Sequence, residues 1–188
     1  MDLGTELAEA KRYFDDRADE LLAMCGMGNA WVFVCAAAMV EYLVKLVTGG
    51  KAGRGHYIAF VDRYMAQTRA EYRNFTYVSG AQDLPTQMYV ILRCGIVHSF
   101  SLIPDGAATD NGGRPRAIVL AHRAEGQPHL SSFASPNAPD AACFVAEDFI
   151  EDIKTTAGII FYAAATDTAL RANIETQWRN HPPIQARI

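Results

Sequence analysis

The sequence predicts an all-α fold, an up-and-down bundle of about five helices with a small β-hairpin between the fourth and the fifth. Apolar residues recur every three or four positions through most of the chain, as in amphipathic helices. Turn-forming residues and short β-like runs concentrate in one stretch, residues 104–139, which is expected to be a loop and hairpin insertion. With 188 residues, half of them hydrophobic, the chain is expected to form a single domain over residues 1–188.

The first two helices are predicted by apolar spacing and by the turn between them. The first is expected over about residues 3–24, and "CGMGN" then interrupts the pattern. Asn29 is a suitable N-cap for the second, whose apolar run "AWVFVCAAAMVEYLVKLV" ends at "TGGKAGRG". That run is nearly long enough to cross a membrane, but Glu41 and Lys45 stand four residues apart, a favourable helical pair in water and a costly one in lipid. A buried helix is therefore expected.

The remaining helices follow from similar signals. A third helix is expected over about residues 56–73, and Asp83 and Pro85 are start signals for a fourth. Beyond the loop "PDGAATDNGGRP", the runs "RAIVLAHR" and "HLSSFA" are expected to pair as a hairpin around "AEGQP". Asp140 is then expected to cap a long final helix, which continues or kinks through "TDTALRANIETQW".

Composition excludes several classes of protein. The net charge is −4 and no long basic block occurs, so the sequence shows no broad surface for nucleic acid, although a local positive cleft remains compatible with it. Four scattered cysteines form no CxxC pair and stand near no histidine at metal spacing. We therefore expect no cofactor, no metal site and no membrane segment, and a cytoplasmic location with reduced cysteines.

The stretch "ILRCGIVHSFSL" places a guanidinium and an imidazole in apolar surroundings. Arg93 and His98 are each costly to bury without a partner, so each must be paired internally or presented at an interface. On an ideal α-helix, residues five apart are separated by about 140°, so the two side chains are not expected on one narrow stripe. "LRCGIVHS", within a helical bundle and ahead of a long closing helix, resembles the Arg-x4-6-His motif of the HEPN superfamily.

The resemblance implies a fold and an activity. It covers about residues 1–103 and 140–165, and the family consists of small all-α domains frequent in toxin–antitoxin and phage-defence systems. Many members are metal-independent endoribonucleases that act as homodimers. By this resemblance Arg93 and His98 are the catalytic pair and RNA is the substrate, with an antitoxin or defence-system protein as a further partner. The chemistry agrees, because attack by a 2′-hydroxyl needs a proton carrier and a donor for the phosphoryl charge.

Other interpretations stay open. Arg116 with His122 and Arg123 with His129 also fit Arg-x5-His, but they fall in the predicted hairpin, where both histidines are expected to be exposed. Cys94 follows the motif arginine where nucleases of the family often carry Asn or Asp, which favours a non-catalytic helical interaction or nucleotide-binding module pairing with a partner protein.

Two further interpretations give the motif no catalytic part. Arg93 could instead bridge to an acid on the first or third helix, with His98 capping the fourth. A pocket for a small ligand could form among four aromatic residues: Trp31, Tyr42, Tyr64 and Tyr89.

Overall fold

The computed structural model describes residues 4–26, 30–96, 116–136 and 138–182, except for the side chains of Ile96 and Ala138. Helices account for 68% of this part of the chain. The helices before the sheet are α1 (Thr5–Cys25), α2 (Trp31–Thr48), α3 (Arg54–Phe60, extended by the π-helical Val61–Met65 and by Ala66–Thr68), α4 (Glu71–Asn74) and α5 (Leu84–Gln87, extended by the π-helical Met88–Ile96). The strands are β1 (Ala117–Ala121), β2 (Ser131–Ser135) and β3 (Ala138–Val145), with a 3-10 turn at Arg123–Glu125, and the last helices are α6 (Ala146–Ala164) and α7 (Thr168–Asn180).

The first two helices confirm the sequence pattern. The apolar stripe of α1 is buried and packs on α6, and α2 packs on α6, α7 and the π-helical part of α5. Helix α2 ends at Gly49, which has φ 67°, a left-handed conformation that glycine adopts without strain. Asn29, the expected N-cap of α2, lies outside the described residues.

Helix α2 is long and apolar enough to cross a membrane, by length and composition alone. One face of it is buried in the main core, and its Glu41 forms ion pairs with Lys45 and Arg93. Both features are found in helices that pack in a protein core. The cytoplasmic location stays a prediction.

The all-α fold class is wrong, because the described chain contains a three-stranded mixed sheet. The predicted hairpin does not form between the two runs that suggested it. Strand β3 lies in the centre of the sheet, with β1 parallel to it on one side and β2 antiparallel on the other. The register of β1 runs from Ala117 opposite Ala141 to Ala121 opposite Val145.

The central strand explains the error. Its sequence, "APDAACFV", has a proline and an aspartate as its second and third residues and contains three alanines, and all three residue types are poor strand formers. Pro139 lies near the start of the strand, a position at which proline is tolerated. Asp140 therefore lies inside β3 and caps no helix, and the closing helix begins six residues later, at Ala146.

The sheet has two apolar faces. Ile118, Ala142 and Phe144 join the main core formed by the helices. Ala121, Cys143 and Val145 form a second, smaller cluster with Phe133 on the opposite face. This alternation along β3 is the two-residue period of a strand. The side chains that enter the main core pack the sheet against the helices.

Candidate functional site

Arg93 lies in the π-helical extension of α5 and contacts α2. Its Nη2 is 3.4 Å from Oε1 of Glu41, and its guanidinium carbon lies 5.5 Å from the centre of the Tyr89 ring. Its side chain is 23% exposed, so one part of the guanidinium is open to solvent while another is held by the protein. The acid that pairs with Arg93 comes from the second helix, and the sequence had suggested the first or the third.

Glu41 links two cations. The same Oε1 atom lies 3.2 Å from Nζ of Lys45, which confirms the helical pair that the sequence predicts. Glu41 is only 13% exposed, whereas Lys45 is 43% exposed. Two cations and one anion leave this group, Glu41 with Lys45 and Arg93, with one net positive charge.

Arg93 is charged at every physiological pH. Burial alone lowers its pKa, but the neighbouring Cys94 and Glu41 outweigh this effect and raise the pKa above its ordinary value. Cys94 accepts a long hydrogen bond from Nη1 of Arg93, at 3.7 Å. Sulfur is a weak acceptor, so this N–H can turn to a better acceptor at little cost.

His98, the second residue of the predicted pair, lies outside the described residues. The helix that leads to it is π-helical from Met88 to Ile96. A π-helix is hydrogen-bonded between residues five apart, so the α-helical angle of about 140° does not apply within this segment. Helical segments of this kind occur frequently at functional sites.

A buried polar network lies between α3, α4, the sheet and α6. Asp152 accepts hydrogen bonds from Nε and Nη2 of Arg69 at 2.9 and 3.3 Å, and from the Tyr72 hydroxyl at 3.1 Å. Nε2 of His129 lies 3.4 Å from the same carboxylate, and the His129 side chain is only 2% exposed. Burial raises the pKa of Asp152, but the hydrogen bonds from His129 and Arg69 together lower it by a larger amount, so the pKa lies below its ordinary value.

His129 is a structural residue in this network. Its Nδ1 accepts the backbone N–H of Val145 at 3.0 Å, so Nε2 carries the proton of the neutral ring and faces Asp152. Leu130, the next residue, has φ 53°, which is rare for a bulky side chain. The expectation that His129 is an exposed hairpin residue is wrong.

His122 belongs to a second group of chemically versatile side chains. Cys25 at the end of α1, His122 after β1 and Glu147 in the first turn of α6 place one ligand atom each within 4.8 Å of one another. His122 is 16% exposed, so the expectation that it lies exposed in a hairpin is also wrong. Burial, followed by the charge of Glu147, raises the pKa of the Cys25 thiol to about 11, which makes it a poor nucleophile as a free thiol.

An apolar groove of about 610 Å³ runs between α1 and α2. It is lined mainly by aromatic and sulfur-containing side chains: Tyr13, Phe14, Met24, Cys35, Met39 and Tyr42. Of the four aromatic residues considered as an alternative ligand pocket, only Tyr42 lines this groove. Tyr42 stacks on Phe14 beside the groove, Tyr64 packs on Phe60, Tyr89 packs on Tyr57, and Trp31 is 57% exposed.

Comparison of the chain with models of protein families, with curated proteins and with solved structures finds no match.

Glu41, Asp152 and the Cys25–His122–Glu147 group were missed as site residues in the sequence. Glu41 has a visible signal, because it is the single acid in a long apolar run. The other groups combine residues from segments eighty or more positions apart along the chain, and no local spacing marks them.

Proposed function

We propose that this chain is a metal-independent endoribonuclease that acts as a homodimer, with Arg93 binding the scissile phosphate and His98 transferring the proton of the 2′-hydroxyl. The observation that carries the proposal is the setting of Arg93: charged, partly exposed, and oriented from two sides by Glu41 and Tyr89. The HEPN-like motif "LRCGIVHS" supplies the reaction class. That resemblance does not imply the mixed sheet. The strands of the sheet follow Arg93 in the sequence, between Ala117 and Val145.

Arg93 has donors to spare for a phosphate. A guanidinium carries five N–H groups, and Glu41 engages one of them at 3.4 Å, a long contact for a charged pair. A second N–H points to the weak acceptor Cys94. A phosphate oxygen is a better acceptor than sulfur, so substrate can displace Cys94 without breaking the ion pair with Glu41.

Glu41 acts as a positioning residue in this proposal. It fixes one edge of the guanidinium, and Lys45 offsets its negative charge, so the group still attracts a phosphodiester. Without Glu41 the guanidinium keeps its charge but loses its orientation. We therefore expect Glu41→Gln to lower kcat more than it raises KM, whereas a merely structural pair would leave both unchanged in the folded protein.

The test is cleavage of single-stranded RNA by the purified chain. His98→Ala and Arg93→Ala should each lower the rate at least about a hundredfold, the scale of one general acid–base or charge-stabilising group. Arg93→Lys should recover only part of the rate, because an ammonium cannot make a bidentate contact. Arg63→Ala is the matched control, since Arg63 also lies over a tyrosine ring, at 5.2 Å from Tyr64, in a π-helical segment.

Two results contradict the mechanism. One is cleavage that persists unchanged in the Arg93→Ala or His98→Ala variant. The other is cleavage that EDTA abolishes while circular dichroism shows the chain still folded. The homodimer is tested separately by light scattering, and mixing the two inactive variants should restore activity if residues of both copies meet in one cleft.

A second candidate is a non-catalytic module that binds a partner protein. The groove between α1 and α2 favours it, because methionine and aromatic side chains adapt well to the apolar face of a partner helix. A chain that cleaves no RNA and binds a partner, with binding abolished by Met39→Glu, would support this candidate over the nuclease.

A further inference from the structure

We propose that Cys25, His122 and Glu147 form a zinc site that joins the end of α1, the segment after β1 and the start of α6. The ligands would be the thiolate sulfur, Nδ1 of the imidazole and Oε1 of the carboxylate, with a water in the fourth position. This inference does not rest on the proposed nuclease activity. Its three residues belong neither to the buried polar network around Asp152 nor to the group of Glu41, Lys45 and Arg93.

The spacing of the His122 imidazole and the Glu147 carboxylate matches that of two ligands of one zinc ion. Nδ1 of His122 lies 3.6 Å from Oε1 of Glu147, too far for a hydrogen bond. With zinc bonds of about 2.0–2.2 Å and tetrahedral angles, a nitrogen and an oxygen ligand of one ion are separated by about 3.4 Å. The two atoms therefore stand close to the spacing that a shared ion imposes.

The imidazole nitrogen also lacks another partner. Nδ1 of His122 is inaccessible to solvent and makes no hydrogen bond within the part of the chain that the structure describes, although the His122 side chain faces the backbone N–H of Glu125 as in a capping box. A buried polar atom without a partner is destabilising, and a metal ion is one of the few groups that would satisfy it. The backbone of His122 is held in place, because its N–H donates to the Glu125 carboxylate at 2.8 Å.

The carboxylate is oriented by its second oxygen. Oε2 of Glu147 accepts the backbone N–H of Arg123 at 2.9 Å, which leaves Oε1 directed towards His122. Metal-binding carboxylates are commonly held by a hydrogen bond of this kind. The guanidinium of Arg123 turns away to Asp148 and Glu151, at 3.1 Å from each, so its positive charge is already compensated.

Cys25 completes the set. Its side chain is buried and donates to the carbonyl of Leu21 at 3.3 Å, a weak bond that coordination would replace. One ligand atom from each of the three residues lies within 4.8 Å of the other two, so shifts of at most about 1 Å bring the sulfur to the tetrahedral spacing of about 3.6 Å. On binding, the thiol proton passes to solvent and a Zn–S bond forms, with no change of oxidation state.

The donor set selects the ion. One sulfur, one nitrogen and one oxygen suit zinc, whereas magnesium and calcium require oxygen ligands. A thiolate and a carboxylate also neutralise the two charges of Zn²⁺. The zinc site and Arg93 contact α2 at different points. The His122 ring contacts Phe33, whereas Arg93 pairs with Glu41, and Phe33 and Glu41 are eight residues, or about 12 Å, apart along that helix.

The experiment uses the full chain, stripped with a chelator and reloaded with Zn²⁺ or Co²⁺. We expect one metal ion per chain, a rise in melting temperature on adding Zn²⁺, and a thiolate-to-cobalt charge-transfer band. Cys25→Ser should remove that band, and Cys25→Ser, His122→Gln and Glu147→Gln should each weaken Zn²⁺ binding at least about a hundredfold, beyond the 10–100-fold cost of losing a second-shell partner. Cys35→Ser, which removes an exposed thiol, is the control and should leave Zn²⁺ binding and the charge-transfer band unchanged.

A measurement on the unsubstituted chain guards against variants that fail to fold. X-ray absorption of the zinc-loaded protein should show one sulfur neighbour at about 2.3 Å and the rest nitrogen or oxygen at about 2.0–2.2 Å. A shell without sulfur, a shell with two sulfurs, or no stoichiometric zinc overturns the proposal and leaves a long His122–Glu147 ion pair. RNA cleavage retained by folded Glu147→Gln agrees with two separate sites, so this proposal and the nuclease proposal fail independently.

Discussion

Replacing Asp152 with asparagine tests how much the buried polar network stabilises the fold. The carboxylate is 7% exposed, and its polar contacts within the described residues are all with donors: two N–H groups of Arg69, the hydroxyl of Tyr72 and Nε2 of His129. Asparagine keeps the shape but has one acceptor oxygen and an amide that also donates. The variant therefore loses one contact to Arg69 and weakens the others.

The size of the effect follows from these contacts. Hydrogen bonds to a charged group contribute about 1.5–3 kcal/mol each, and neutral ones about 0.5–1.5 kcal/mol. Three partners that each lose about 1 kcal/mol would sum to about 3 kcal/mol, but Arg69 is 35% exposed and water screens its share. We expect the free energy of unfolding to fall by about 2–3 kcal/mol, a drop in melting temperature of about 4–12 °C.

The assay is urea unfolding followed by circular dichroism at pH 7 and at stepwise lower pH. Because the pKa of Asp152 is lowered in the folded state, its contribution is fully present above the unfolded value of about 3.9 and is lost as the pH falls through the folded value. The gap between wild type and Asp152→Asn should therefore be constant near pH 7 and narrow below about pH 3.9.

Asp148→Asn is the matched control, since Asp148 lies one turn earlier on α6 and pairs with the exposed Arg123. It should cost less than about 1 kcal/mol. An Asp152→Asn variant that unfolds within about 0.5 kcal/mol of wild type would refute the view that this carboxylate organises the network.

Two further predictions concern backbone geometry, both measured by thermal and urea unfolding. Asp167→Ala should cost about 1 kcal/mol, because the Asp167 carboxylate caps α7 by accepting the N–H groups of Ala169 and Leu170, and an unchanged stability would show that the cap contributes nothing. Gly49→Ala should cost about 1–2 kcal/mol, since φ there is 67° and the new methyl group would lie 3.0 Å from Oδ1 of Asn173. The same change at Gly158, inside α6 with open space around it, should instead raise stability by about 0.5–1 kcal/mol, and equal effects at both glycines would contradict the backbone argument.

The helices that could be predicted are those with local signals. The stripe that includes Leu7, Phe14 and Leu21 is buried as expected, and Pro85 stands in the first turn of α5. Helix boundaries follow from residues a few positions apart, which contact one another within a single helix. The Glu41–Lys45 pair belongs to this class, because its geometry is set by one helical turn.

The sheet could not be predicted in the same way. β1 and β3 are parallel strands separated by β2, so their pairing depends on residues more than twenty positions apart. Residues 138–142 of β3 are weak strand formers, and they pair because neighbours on both sides supply hydrogen bonds and the helices cover one face. The closing helix begins late for the same reason, since β3 uses residues that an N-cap at Asp140 would have placed in the helix.

The amino-acid sequence by itself determined the long helices, the charge of Arg93 and the acid within the apolar run of α2. It also contains the motif formed by Arg93 and His98, which indicates a class of reaction but does not define the geometry of the site. The tertiary structure alone decided that Glu41 is the partner of Arg93, that Asp152 gathers Tyr72, Arg69 and His129, and that Cys25 meets His122 and Glu147. The physical reason is that helix formation depends on contacts within a few residues, whereas these groups exist only after the core has brought distant segments together.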